Sequence, residues 1–210
     1  METNNNSEEG GFVPSAVLEN IRNRRSVRLF DDKDISESDL QTVLQAANHA
    51  PSAHNQQPWR FIIVSGTKKQ NLASLVSKKA AEFPKTSSAL LRMASRSISS
   101  APVIVGVVNT GEMITHATDL FSLDKKNAHD FFRTMEIQST AAAIQNLLLA
   151  ASALGISSVW LGALILIKDD VLSFFEETDG EFMAVVPLGY SEKVRTMPPK
   201  KSLEAKIKYL

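Results

Sequence analysis

The chain has no cysteine among its 210 residues. That single absence excludes disulfides, thiolate nucleophiles, zinc–thiolate sites and cysteine-ligated iron–sulfur clusters. Redox chemistry, if the chain performs any, must run on a bound organic cofactor or an unusual metal site. A metal site is not expected, because His49, His54, His116 and His129 form no pair at ligand spacing and no carboxylate cluster accompanies them. Net charge is lacking too: 23 basic residues face 23 acidic ones, and the pI is near 6.9. Such balance gives no long-range attraction to nucleic acid or to an acidic membrane surface. Neither the dinucleotide glycine fingerprint nor the Walker pattern occurs. No signal peptide precedes the first helix, so a cytosolic location is expected.

What is present is ordinary for a soluble globular protein, with 43% hydrophobic and 22% charged residues. One stretch, Leu147 to Ile167, carries no charge and is long enough to raise the question of a membrane span. Gly155, the Ser157–Ser158 pair and Gly162 interrupt it, which points to a buried helix ending at Gly155 and a buried strand beyond. The opening Met1 to Gly11 is rich in Asn, Glu and Gly and reads as a disordered tail, taken as residues 1–12. Residues 13–210 show neither an internal repeat nor a linker and are expected to form a single domain, with Pro198–Pro199 starting a terminal arm.

Periodicity supplies the elements. Val17, Leu18 and Ile21 share a face of a helix over Ser15 to Arg24. A second helix has Ser36 as cap, Asp39 at the capping-box position and Ile35 stapled to Leu40; its stripe is Leu40, Val43, Leu44 and Ala47, and Pro51 ends it. A strand follows over Arg60 to Ser65. A third helix begins near Thr67, with Gln70 at the box position and Leu72, Leu75 and Val76 inward. Phe83 to Ser100 is Ser- and Arg-rich with weaker periodicity. Val103 to Val108 is a central strand, and Glu112 to Asp130 reads as a lid or loop. A long Ala-rich helix covers Phe132 to Leu154. Strand Ser158 to Leu161, a short helix over Val171 to Phe175 and strand Met183 to Leu188 complete the pattern. Strands separated by helices predict an α/β or α+β protein of three layers, with helices on the sheet faces.

Two constellations carry chemistry. Arg24, Arg25 and Arg28 cluster just after the first helix, with the Ser26 hydroxyl among them. Without a glycine-rich loop, a nucleotide-like phosphate would need such cations, and guanidinium forks suit phosphate and ring carbonyls. A solvated basic helix end that complements the helix dipole is the plainer reading. The loop Pro51-Ser52-Ala53-His54-Asn55-Gln56-Gln57-Pro58-Trp59 sets a hydroxyl and several amides between prolines. Amides match the alternating donors and acceptors of a planar heterocycle's edge, and prolines lower the ordering cost of binding. A turn anchored by Trp59 in the core is the plainer reading here.

RRSVRLF, followed by APSAHNQQPWRFIIV, resembles the amino-terminal half of the nitroreductase family. QNLLLAASALGISSVWLG resembles that family's central helix and next strand, and VVPLGYSEKVRTMPPKKSLE its last strand and basic carboxyl arm. The resemblance implies an α+β fold with a mostly antiparallel central sheet and an exchanged C-terminal arm. It implies a homodimer that binds FMN, takes hydride from NAD(P)H and reduces nitroaromatic, quinone or related small-molecule acceptors by a ping-pong cycle. It further implies roles for named residues. Arg24, Arg25, Ser26 and Arg28 match positions for the FMN phosphate, ribityl chain and pyrimidine edge. Pro51, Ser52, Ala53 and Asn55 match a loop from the other subunit, with Gln57 a further contact. Val159, Trp160, Leu161 and Gly162 match the strand end beside the flavin's reactive edge, where the N–H groups of Leu161 and Gly162 would face N5 and O4. Lys200, with Lys201 beside it, matches a phosphate-holding cation of the arm. The chain departs from the family where many relatives carry a helix acid, since Gln138 stands there, and no catalytic acid is evident. Alternatives within the fold are a reductive dehalogenase or a flavin-fragmenting enzyme; Tyr190 and Tyr209, both outside Glu112 to Asp130, weigh against the former. A flavin-binding protein without turnover is the alternative of another class.

Overall fold

The computed structural model describes residues 15–114, 125–193 and 196–210; the expected tail over 1–12 lies outside them, as do His116 and 115–124. Helices α1 (Ala16–Asn23) and α2 (Glu37–Asn48) lead to strand β1 (Trp59–Ser65). Helices α3 (Gly66–Ala80) and α4 (Lys85–Ser100) follow, then β2 (Val103–Asn109). The long helix α5 (Lys125–Ala153), β3 (Ser157–Ser158), a 3-10 turn (Gly162–Ile167), α6 (Lys168–Phe174) and β4 (Glu181–Gly189) complete the core.

The sheet runs in the order β1-β2-β4-β3, each neighbouring pair antiparallel. Alternation along its strands feeds two layers. Val103, Val105 and Val107 of β2 join Ala184, Val186 and Leu188 of β4 in a core against α2 and α5. Ile104, Phe182 and Val185 face α3, α4 and the 3-10 turn from the other side. Phe182 and Ala184 would share a face in a regular strand. The register shift opposite Val107/Val108 sends them to opposite layers. Gly106 is required in mid-strand, because a Cβ there would lie 2.6 Å from the Phe175 ring. The expected three layers and mostly antiparallel sheet are present.

Several local expectations need correction. Ser36 caps α2 through the Asp39 N–H at 3.0 Å, as its sequence suggests. Gln70 does not close a capping box on α3; it bridges to α4, donating to Ser99 O and accepting from the Ser99 hydroxyl. The Ser-rich stretch before β2 is a full helix, α4, whose period was obscured by buried serines. Those hydroxyls find backbone partners instead: Ser95 donates to Ala73 O at 2.8 Å, and Ser97 reaches Arg28 O at 2.9 Å. Helix α5 covers Lys125–Ala153 and so includes turns before the expected Phe132; those turns are mostly polar, with Ala128 buried ahead of Phe132. The stretch expected as a lid or loop is helical at Glu112 to Ile114 and again from Lys125. Ordered pairing of β3 ends at Ser158, and the chain beyond Leu161 turns into the 3-10 segment.

Candidate active site

The basic stretch is extended because it joins the sheet edge. Arg24 closes α1 with its N–H on Asn20 O, and then Ser26 bridges Ser158 in parallel while Val27 N–H donates to Ser158 O at 3.0 Å. Val27 is buried in the core, so Ser26 and Arg28 fall on the opposite side of this extended segment. From behind, the Ser97 hydroxyl holds Arg28 O. This pairing sets Arg24 to Arg28 beside the chain that continues into Val159 to Gly162.

An open pocket of about 470 Å³ lies at this edge, lined by Arg24, Arg25, Ser26, Arg28 and, from the C-terminal arm, by Met197 and Lys200 among others. Thr196, Met197 and Pro198 were not foreseen as lining residues; the Pro198–Pro199 pair, which fixes the arm's course, was their only signal in the sequence. Lys201 is not brought to the pocket. The three arginines and Lys200 have no carboxylate partner among the described residues. They differ otherwise. Arg25 turns back on the end of α1, donating to Arg22 O (2.6 Å) and Arg24 O (2.8 Å), and so performs the helix-end role as well. Arg28 reaches Ser26 O at 3.4 Å, and Arg24 is half-buried. Cations that converge with no anion among the described residues have the chemistry to attract a phosphate.

Leu161 does not offer its N–H to the pocket, as had been expected; it donates to Val185 O at 2.9 Å. Neither Gly162 nor the rest of Val159 to Leu161 lines this pocket. Gly162 opens the 3-10 turn, where the first N–H groups have no intrahelical partner. A Cβ on Gly162 would meet nothing closer than the Trp160 indole at 3.6 Å. The chain itself therefore does not demand glycine there, whereas a planar group lying against that backbone would. Val159 is buried and Trp160 half-buried beside it.

The loop from Pro51 to Gln57 does not line this pocket within one chain. Its backbone is unusual. His54, Asn55 and Gln57 all have positive φ, at 50°, 55° and 51°. Asn tolerates that region, but three such residues in one short loop store strain that surrounding bonds must hold. Ser52 Oγ accepts the Gln57 N–H at 3.0 Å, and Ala53 N–H donates to Ser139 Oγ on α5 at 3.1 Å. Trp59 anchors the loop's end, donating its indole N–H to Asn48 at 3.0 Å. Accepting from Gln57 leaves the Ser52 hydroxyl hydrogen free to donate outward.

Gln138 is exposed. The buried acid of this helix is Glu136, whose signal in the sequence is a carboxylate on the inward stripe between Phe132 and Ala143.

The Nitroreductase family profile matches residues 21–190. A relative from Archaeoglobus fulgidus is 33% identical over 145 residues, covering 69% of this chain and 66% of its own length. The provisionally named NAD(P)H nitroreductase YfhC of Bacillus subtilis is 30% identical over 181 residues, covering 85% of this chain and 86% of its own. Among solved structures, a nitroreductase with bound FMN from Bacteroides fragilis superposes with a TM-score of 0.69 at 26% identity, covering 94% of this chain and all of the other. With the sheet, the sequence motifs and these matches in agreement, the chain belongs to the Nitroreductase family.

Proposed function

We propose that the chain is an FMN-dependent NAD(P)H oxidoreductase that works as a homodimer, each of two sites being built from both subunits. The observation that carries this reading is the pocket where Arg24, Arg25, Arg28 and Lys200 converge without a carboxylate partner among the described residues. Arg24 and Lys200 would hold the phosphate; Lys200 does so as a point charge and Arg24 as a fork. Ser26 and Arg28 would face the ribityl chain and pyrimidine edge. Gly162 leaves room for the ring's reactive edge and can direct an N–H toward it. When bound, FMN supplies the two-electron exchange between NAD(P)H and a nitroaromatic, quinone or related acceptor. Arg28 favours negative charge at the pyrimidine edge, and the Pro51–Gln57 loop orients the ring through neutral donors and acceptors.

The dimer is supported by apolar surface that one chain leaves open. Val17, Leu18 and Ile21 on α1 are exposed at 65%, 44% and 50%, next to an apolar hollow floored by Leu149 and Ala150 of α5. Leu203, Ile207 and Leu210 of the C-terminal arm are exposed as well. Among the described residues no helix is long and apolar enough to cross a membrane. A cytosolic setting agrees with the cysteine-free sequence.

The test is direct. Purified protein should carry noncovalent FMN, identified by chromatography of the acid-released cofactor, and anaerobic NADH or NADPH should bleach it. Light scattering should return the mass of a dimer. FAD in place of FMN, or no flavin after reconstitution, overturns the reading; a flavin-loaded monomer overturns its shared-site part.

A further inference from the structure

Glu136 lies one turn after Phe132 and one turn before Thr140, on the inward stripe of α5. Its Oε1 accepts the Met113 N–H at 2.9 Å, and the N–H groups of Gly111 and Ile114 also hydrogen-bond to its carboxyl. Among the described residues, Oε2 is buried without a partner, and so are Oδ1 and Nδ2 of Asn109, Oγ1 of Thr110 and Oγ1 of Thr140. Native interiors rarely leave polar atoms so, except where ordered water or a special role accounts for them. Asn109, the last residue of β2, pairs with Trp59, and Thr110 after it donates its N–H to Pro58 O at 3.0 Å; the chain then runs directly into the 111–114 segment that Glu136 holds.

The same stretch of helix carries the loop that the proposed function sets against the flavin. Three residues after Glu136, Ser139 receives the Ala53 N–H. Met113 and Phe132 pack with Ala53, Ile114 and Met135 in one small apolar cluster. The chain leaving β2 and the strained loop therefore share one support.

We propose that Glu136 is a positioning residue for the Pro51–Gln57 loop, acting by fastening Met113 against Ala53. The inference rests on the assignment of that loop to the flavin site. Burial pushes the Glu136 carboxyl above the ordinary carboxylate range, the nearby Glu181 carboxylate on β4 adds to this, and the three backbone donors oppose it. Glu181 is itself paired with Arg133, one turn earlier on α5. A carboxyl raised on folding contributes stability in full below its unfolded value of 4.5, and that contribution is lost as pH rises through the folded value.

Amide hydrogen exchange on the cofactor-free protein is the test, with peptides covering 51–57 and 111–114, and with Glu136→Leu and Glu136→Gln. Leu removes the acceptor and the orphaned oxygen at similar volume; Gln keeps an acceptor for Met113. The expected result is exchange about tenfold faster in both peptides for Glu136→Leu, beyond any change in peptides elsewhere in the chain, and native protection for Glu136→Gln. Exchange that rises over 111–114 while 51–57 stays at the wild-type rate overturns the inference. Should Glu136→Leu not fold, the pH dependence of exchange over 51–57 decides. Wild-type protection should fall as pH rises and that of Glu136→Gln should stay flat, whereas superimposable profiles overturn the proposal. FMN affinity, measured on the same proteins, should fall about tenfold in Glu136→Leu. Wild type that takes up no FMN refutes the flavin reading, while the exchange result still answers for Glu136.

Discussion

The two halves of the proposed site are built in opposite ways. Arg24 to Arg28 has relaxed extended backbone, fastened to the sheet edge at Ser158 and to α4 through Ser97, and it carries cations with no anion partner among the described residues. Pro51 to Gln57 presents no permanent charge, and its backbone is held in three left-handed conformations by bonds from Ser52 and to Ser139. One half supplies field and the other supplies shape. A protein that divides its work this way can hold a charged tail by long-range attraction while fixing a flat ring by local geometry.

The sharpest division comes from charge removal. Each charge-assisted bond contributes about 1.5–3 kcal/mol. The double substitution Arg24→Ala with Arg28→Ala should therefore weaken FMN binding at least a hundredfold or so, with Tm nearly unchanged in the absence of cofactor. Fluorescence titration with FMN checks it. Retention of tight binding would transfer the anion site to another part of the chain.

Gly162→Ala tests the approach of the ring. The space around Gly162 accepts a methyl group, so the cofactor-free protein should melt as wild type does. Crowding of a bound planar group costs about 1–3 kcal/mol, or roughly five- to 150-fold in FMN affinity. An Ala variant that binds FMN normally would place the ring away from this backbone.

Legibility followed physical cause. The arginines, the proline-bounded loop and the capped α2 were evident because local chemistry specifies them: charge, turn residues and a cap. Helix α4 was obscure because Ser95 and Ser97 occupy inward positions and are satisfied by carbonyls of distant segments. The N-terminal turns of α5 were obscure because they are mostly polar. Leu161 illustrates a different gap. Its N–H was expected to face the flavin, but cross-strand pairing with Val185 claims it, and pairing is a tertiary fact. Glu136 stands on the inward stripe of α5, but which backbone N–H groups its carboxyl meets is set by the fold.

Strain in the loop can be relieved at a cost to function. Gln57 holds a positive φ of 51° and gives its side-chain amide only an exposed bond to Asn55 Oδ1 at 3.1 Å. Gln57→Gly should stabilise the cofactor-free protein by up to about 1 kcal/mol, the left-handed penalty removed less the added freedom of the unfolded chain. FMN affinity should fall at the same time, because the loop then samples other shapes before binding. A lower Tm would mean the left-handed backbone at Gln57 is not strained.

The smallest effect is expected from Ser52→Ala, and it separates the two halves most cleanly. Ser52 accepts from Gln57 N–H and keeps its own hydrogen for an outward bond, so the substitution removes one loop contact and one neutral donor. A neutral hydrogen bond contributes about 0.5–1.5 kcal/mol, which sets the loss of FMN affinity at roughly two- to twelvefold. Magnitude alone could not distinguish this from partial loss of a cation. Salt can. Added salt screens the attraction between the arginines and a phosphate but leaves a neutral bond nearly untouched. FMN affinity in Ser52→Ala should therefore fall with ionic strength along the wild-type slope, displaced by a constant factor. Arg28→Ala should flatten that slope. Parallel slopes for Arg28→Ala and wild type would show that Arg28 contributes no field to binding, and a flattened slope for Ser52→Ala would show that the loop senses the phosphate after all.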